Sequence, residues 1–267
     1  GGVGSALAMN IWSRSIDKVG VRSHDGLATV SHVAIGTQNG FGGGVSLTGA
    51  DNATSFVGCT ITGTRSGGQL NDGSPVHAVY IAGGAPLFSG CTVDQNLGSV
   101  DGVILQEGGS GSWIGCSIGG TFGNVSPVSN GTMVIRDGAH PTILDTTFSN
   151  NLSRFGTIRF DSSLNGPHQP LLIANTIFDE NTTTDGQYGA IAYCTDSVAG
   201  RNPLLVMDRV VCSNTGQSAG TESGVAWFET DVVSNYLPRY RVLRDISSNV
   251  IGSDTQPSGV AARSGGE

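Results

Sequence analysis

Glu107, Arg136 and Asp161 each stand five residues after a glycine (Gly102, Gly131, Gly156) that opens a short β-prone run. Cys194 and Glu229 follow Gly189 and Gly224 at the same distance. If these runs stack as neighbouring strands, Glu107 and Asp161 flank Arg136 at about 9–10 Å, two strand spacings. That lies near the upper end of the acid–base separation of an inverting glycosidase, about 6.5–9.5 Å. The competing reading is a surface ladder of alternating charge, each pair worth about 0–1 kcal/mol. No substrate-binding aromatics and no second signature accompany the three residues, so the ladder is the reading adopted.

Five N-x-S/T sequons occur, at Asn52, Asn124, Asn130, Asn151 and Asn181. Each is a glycan acceptor only on a glycosylating secretory route. Asn151 and Asn181 also end a recurring turn pattern, where they can stack with Asn96, Asn214 and Asn249 as an amide ladder. A buried ladder amide carries no glycan, which leaves Asn52, Asn124 and Asn130, placed in loops, as the better acceptors.

Of the five cysteines, Cys59, Cys91 and Cys116 fall at one position of successive repeats and read as an inward column of small side chains. Parallel Cβ vectors about 4.8 Å apart miss the disulfide optimum of about 3.8 Å. Cys194 and Cys212 flank the loop 196–203 and are the candidate disulfide in an oxidising compartment. No metal site is expected: there is no CxxC pair, and His24, His32, His77, His140 and His168 show no HxH or HExxH spacing. They are expected in turns or on the outer surface. The glycine clusters 40–44 and 108–111 lack the Lys-Ser/Thr of a phosphate loop, no GxSxG elbow appears, and no cofactor is implied. Thr60, Thr92, Ser117 and Thr147 make an outward hydroxyl column, which the β-propensity of threonine explains without ice binding.

These residues have to be positioned by a repeat. An apolar residue, two small or polar residues and then Asn, Thr or Gln recur at Ile35–Gln38, Ile61–Thr64, Val93–Asn96, Ile118–Thr121, Phe148–Asn151, Phe178–Asn181, Val211–Asn214 and Ile246–Asn249. The spacings wander between 25 and 35 residues, as coils with variable loops do, and no 3.6-residue periodicity fills the gaps. Between anchors lie the glycine-initiated runs named above, with Gly44-Val45-Ser46-Leu47 as an earlier copy. Alternation puts residues 57, 59 and 61 on one face, then Ile114, Cys116 and Ile118, then Leu144, Thr146 and Phe148. The expected fold is all-β: a single-stranded right-handed parallel β-helix of about eight coils, occupying residues 1–251 as one domain. Residues 252–267 read as a polar C-terminal tail or the start of a further segment.

Composition bounds the function. The formal charge of −8, with a single lysine against twelve arginines and no basic cluster, argues against a nucleic-acid partner. No apolar run approaches the ~20 residues that span a bilayer. Forty-two glycines without a strict triplet fit a turn-dense β architecture rather than collagen.

Gly-Ala-Ile at 189–191, with Phe-Ser-Asn-Asn at 148–151 and Phe-Asp-Glu-Asn at 178–181, resembles the GGAI and FxxN motifs of polymorphic outer membrane protein repeats. The resemblance covers most of the chain by period and residues 143–195 by motif. It implies the pectin-lyase-like right-handed β-helix and an extracellular or cell-surface passenger, adhesin or fibre-forming module. The Asp-rich signatures of the polysaccharide lyases and polygalacturonases that share this architecture are absent. The expected function is therefore a non-catalytic structural or adhesive module, glycosylated, whose partners are carbohydrate or further copies joined head to tail. The alternative is a carbohydrate-active enzyme using Glu107, Arg136 and Asp161.

Overall fold

The computed structural model describes residues 5–6, 10–13, 19–37, 43–65, 76–98, 101–120, 124–126, 131–154, 156–162, 170–184, 191–195, 205–213, 216–217, 226–230, 240–244 and 247–248. The tail at 252–267 and Asn130, Asn214, Ile246 and Asn249 lie outside them. The described chain is a parallel β-solenoid without helices. Each coil runs through a strand of a first sheet, turns a corner into a second sheet and returns through a third, as in Leu87–Ser89, Thr92–Asp94 and Ile104–Glu107. The first two sheets stack nine strands each and the third stacks eight. A fourth sheet, from Val125–Ser126 to Gly216–Gln217, has four strands. The full coil, with a strand in every sheet, is thus built four times among the described residues, against the eight repeats that the anchor spacing predicts.

Register turns sequence into columns. Val30, Phe56, Phe88, Trp113, Ile143, Ile173 and Met207 stack along the interior of the first sheet. Ile35, Ile61, Val93, Ile118, Phe148, Phe178 and Cys212 do so along the second. Nearly all are fully buried, each worth about 1.5–3 kcal/mol for a large side chain. The rings stack face to face: Phe88 lies 4.8 Å from Phe56 and 4.1 Å from Trp113, nearly parallel to both. Stacking at one strand spacing sets the rings of a parallel column against one another.

The expected alternation through 57–61 fails at one point. Phe56, Trp113 and Ile143 face inward, while Val57, Ile114 and Leu144 are only half-buried on the outside. The cause is a left-handed residue between the two strands. His32, Gly58, Gly90, Gly115, Asp145, Asn175 and Arg209 all have φ between 48° and 62°. This corner reverses the phase of the pleat, and its N–H donates to the next coil, as Gly90 does to Ile114 at 2.9 Å. The last described anchor is likewise shifted by one: Cys212, not Val211, occupies the Phe178 column, and Val211 is exposed.

Just after each corner sits Val33, Cys59, Cys91, Cys116, Thr146, Thr176 or Val210, all buried. The Cys116 thiol donates to the carbonyls of Phe88 at 3.4 Å and Ile114 at 3.6 Å. The Thr146 hydroxyl donates to those of Trp113 and Leu144, one coil further on. Cysteine and threonine are interchangeable there, as small side chains that cap a carbonyl. A hydrogen bond from Cys91, then burial, holds the Cys59 thiol well above its ordinary range; Cys116 in turn pushes Cys91 up to about 11.

Candidate functional site

The third sheet positions the residues expected to do chemistry. Its outward column runs His24, Thr48, Ala82, Glu107, Arg136, with register fixed strand by strand. Further along it, Asp161, Cys194 and Glu229 are paired in backbone register. The glycine-initiated alignment therefore places Glu107, Arg136 and Asp161 on one sheet face.

Their contacts are those of an ion-pair network. Arg136 Nε donates to Glu107 Oε1 at 2.9 Å, and Nη2 donates to the same oxygen. Nη1 donates to Asp101 at 2.9 Å, and Asp137 lies 3.7 Å from Nε. Desolvation works against the Arg136 charge, but Glu107 and the two aspartates outweigh it and hold the guanidinium charged more firmly than usual. The other Glu107 oxygen accepts the Tyr80 hydroxyl at 2.9 Å. Burial, then that bond to a carboxylate, pushes the Tyr80 phenol up, so it stays a neutral donor. Asp161 is held within its own strand by Arg159 Nε, at 2.8 and 3.1 Å to its two oxygens.

Beside this column lies a second outward one, Ser46, Tyr80, Leu105 and Val134, in which every member is buried. Tyr80, Leu105 and Val134 form an apolar cluster separate from the interior. The outer faces of the first two sheets differ: Ser112, Thr142, Ser117 and Thr147 there are half-exposed. So the charged column borders an outer surface that is covered.

His77 departs from the expectation of a surface histidine. It is 2% exposed, and its Nδ1–H donates to the Gly102 carbonyl at 3.0 Å. Burial pulls its pKa below the ordinary histidine range and keeps the ring neutral. His24 and His32 are exposed, His140 is half-buried over the Gly138 carbonyl, and His168 lies outside the described residues.

The sequons are corrected most. Asn52, expected in a loop, is fully buried; its Nδ2 donates to the carbonyls of Ser23 and Thr48, and its Oδ1 accepts the Thr54 N–H. Asn124, expected as an acceptor, belongs to the ladder. Asn96, Asn124 and Asn151 each donate Nδ2–H to the next asparagine, ending at Asn181, at 2.8–3.0 Å. Each of the four also donates to a carbonyl of the coil before: Ile61, Val93, Ile118 and Phe148. All four are buried, and at the sequons Asn124 and Asn151 both Nδ2 hydrogens are committed, which leaves no place for a glycan. Asn130 is the one sequon asparagine outside the described residues.

The disulfide expectation is not met. Cys212 is a buried thiol inside the second sheet, and Cys194 is paired in backbone register between Asp161 and Glu229 in the third. Among the described residues no three His, Cys, Asp or Glu side chains converge as metal ligands. No helix among them is long and apolar enough to cross a membrane.

No protein-family model, curated protein or solved structure matches the chain.

Proposed function

We propose that the chain is a non-catalytic extracellular or cell-surface module, a structural or adhesive rod of the pectin-lyase-like kind. The degenerate GGAI and FxxN motifs support that architecture and place. One observation carries the non-catalytic part: both carboxylates of the candidate acid–base pair are committed to arginines, Glu107 to Arg136 and Asp161 to Arg159. A catalytic carboxyl has to meet its substrate, and oxygens already hydrogen-bonded to a guanidinium are not free to do so. Further copies stacked head to tail would continue the parallel sheets, and the half-exposed hydroxyl faces offer a polar surface for carbohydrate.

The test is a depolymerisation screen of the full chain against plant, algal and bacterial polysaccharides. No cleavage above buffer is expected. Cleavage that Glu107→Gln abolishes would replace this reading with a carbohydrate-active enzyme. Sedimentation across a concentration series tests assembly: mass growing in steps of one chain is expected, and a strict monomer at high concentration contradicts it.

A further inference from the structure

Cys59, Cys91 and Cys116 form a column of thiols that neither the ion-pair network nor the asparagine ladder uses. Each sulfur holds the same place in its coil. Cys59 Sγ donates to the carbonyls of Val30 at 3.3 Å and Val57 at 3.6 Å, and Cys91 Sγ to those of Phe56 at 3.3 Å and Ser89 at 3.6 Å. Cys116 repeats both contacts one coil on. The flanking strands are in unbroken register, so the sulfurs repeat at one strand spacing, about 4.8 Å. Neighbours feel one another: Cys91 is the largest influence on the ionisation of both Cys59 and Cys116.

That spacing is too long for a disulfide, whose Cβ atoms stand about 3.8 Å apart. It suits a metal ion. A metal–thiolate bond is about 2.3 Å, so an ion with one sulfur on each side spans about 4.6 Å. Zinc takes four ligands, and among the described residues no three His, Cys, Asp or Glu side chains converge to supply them. Two soft sulfurs on opposite sides select copper(I) instead. The lack of a CxxC pair excludes chelation within one segment only, whereas stacking brings these thiols together from separate coils.

The corner in front of each thiol is bare. Gly58, Gly90 and Gly115 precede the three cysteines, whereas His32, Asp145, Asn175 and Arg209 precede Val33, Thr146, Thr176 and Val210. All seven corners have φ between 48° and 62°, so the backbone alone does not demand glycine beside cysteine. What glycine adds is an opening. A Cβ at Gly90 or Gly115 would meet no atom within 4 Å, whereas the His32 ring lies over Gly58, with Nε2 3.1 Å from where a Cβ would stand. The approach to the column is therefore from the corners of Cys91 and Cys116.

We propose that the column is a copper(I) site in which Cys91 is the shared ligand, paired with Cys59 on one side and Cys116 on the other. This goes beyond the structural reading and does not depend on it. As an ion enters a gap, one S–H bond breaks, one S–Cu bond forms, and the proton passes to water. The second sulfur binds through a lone pair and keeps its hydrogen on a backbone carbonyl. Copper stays in the +1 state, and one thiolate per ion leaves no net charge in the interior.

The full chain, reduced and kept free of oxygen, is mixed with excess copper(I) as its acetonitrile complex, desalted and weighed by native mass spectrometry. X-ray absorption at the copper edge reads the ligands. An ion in each gap is expected, with sulfur neighbours at about 2.3 Å. Cys59→Thr and Cys116→Thr each leave one gap and are expected to retain a single ion. Cys91→Thr removes the ligand common to both gaps and is expected to retain none. Threonine fills this position natively at Thr146 and Thr176, so the fold accommodates it. If the circular dichroism spectrum of Cys91→Thr is altered, the double variant Cys59→Thr/Cys116→Thr, which keeps Cys91 but breaks both gaps, decides: loss of copper sustains the proposal and retention overturns it. No copper on the wild type, equal copper on wild type and Cys91→Thr, or copper lost on substituting Cys194 or Cys212 overturns it as well.

Discussion

Two polar columns cross the coils of this solenoid, one inside and one outside. Inside, Asn96, Asn124, Asn151 and Asn181 are buried, and the first three amides are each committed to the coil before and the coil after. Outside, Glu107 and Arg136 face each other on the third sheet, with 22% and 30% of their side chains exposed. A polar group sealed from water is expensive to leave unmatched, whereas a half-exposed ion pair is replaced by water at small cost. The inner column is therefore expected to hold the fold, and the outer one to be available for other work.

The largest break in this comparison is expected from Asn151→Leu. It removes the donor to the Ile118 carbonyl and the acceptor of the Asn124 backbone and side-chain N–H groups in the interior, a loss of about 3 kcal/mol or more in urea unfolding. Gly119→Ala attacks the same column from its backbone. Gly119 has φ +95°, and a Cβ there would strike the Ser149 carbonyl and the Asn151 amide, so a loss of about 2–3 kcal/mol is expected by the same measurement.

Gln106 sharpens the comparison from the other direction. It lies in the inward column between Ile81 and Ile135, fully buried, and neither end of its amide has a partner. Gln106→Ile is expected to stabilise the chain by about 1–2 kcal/mol, read as a higher melting temperature. A buried amide is thus worth having only when the coil above and below completes it.

His77 adds a pH dependence. Its folded pKa lies below the unfolded value of about 6.5, so below that pH the unfolded chain binds a proton that the folded chain refuses. The stability it contributes is full above the unfolded pKa and falls as the pH drops toward the folded one. His77→Gln, which keeps a donor for the Gly102 carbonyl, is expected to flatten that slope in unfolding curves between pH 7 and pH 5.

Much of this was legible in the sequence. The spaced anchors announce stacked coils, and Asn96, Asn151 and Asn181 announce the ladder. Asn124 escaped because its coil carries extra residues after Gly119, so that Thr121 fell at the ladder position by count. The corner escaped because its left-handed residue is glycine in only three of seven coils and Asp, Asn, His or Arg in the others. Glycine tolerates that conformation freely, while the others hold it at a cost the neighbouring coils over-determine. The outer column was found at Glu107, Arg136 and Asp161 by counting from a glycine. It was missed at Thr48, because Gly43 and not Gly44 is the aligned glycine, and at Ala82, because His77 stands there in place of glycine.

The comparison comes down to two substitutions measured side by side. Urea unfolding of Asn151→Leu and Glu107→Gln is expected to show a loss of about 3 kcal/mol or more for the first and less than about 1 kcal/mol for the second. An equal loss, or a larger one at Glu107, would contradict an inner ladder that holds the coils and an outer column that the fold can spare.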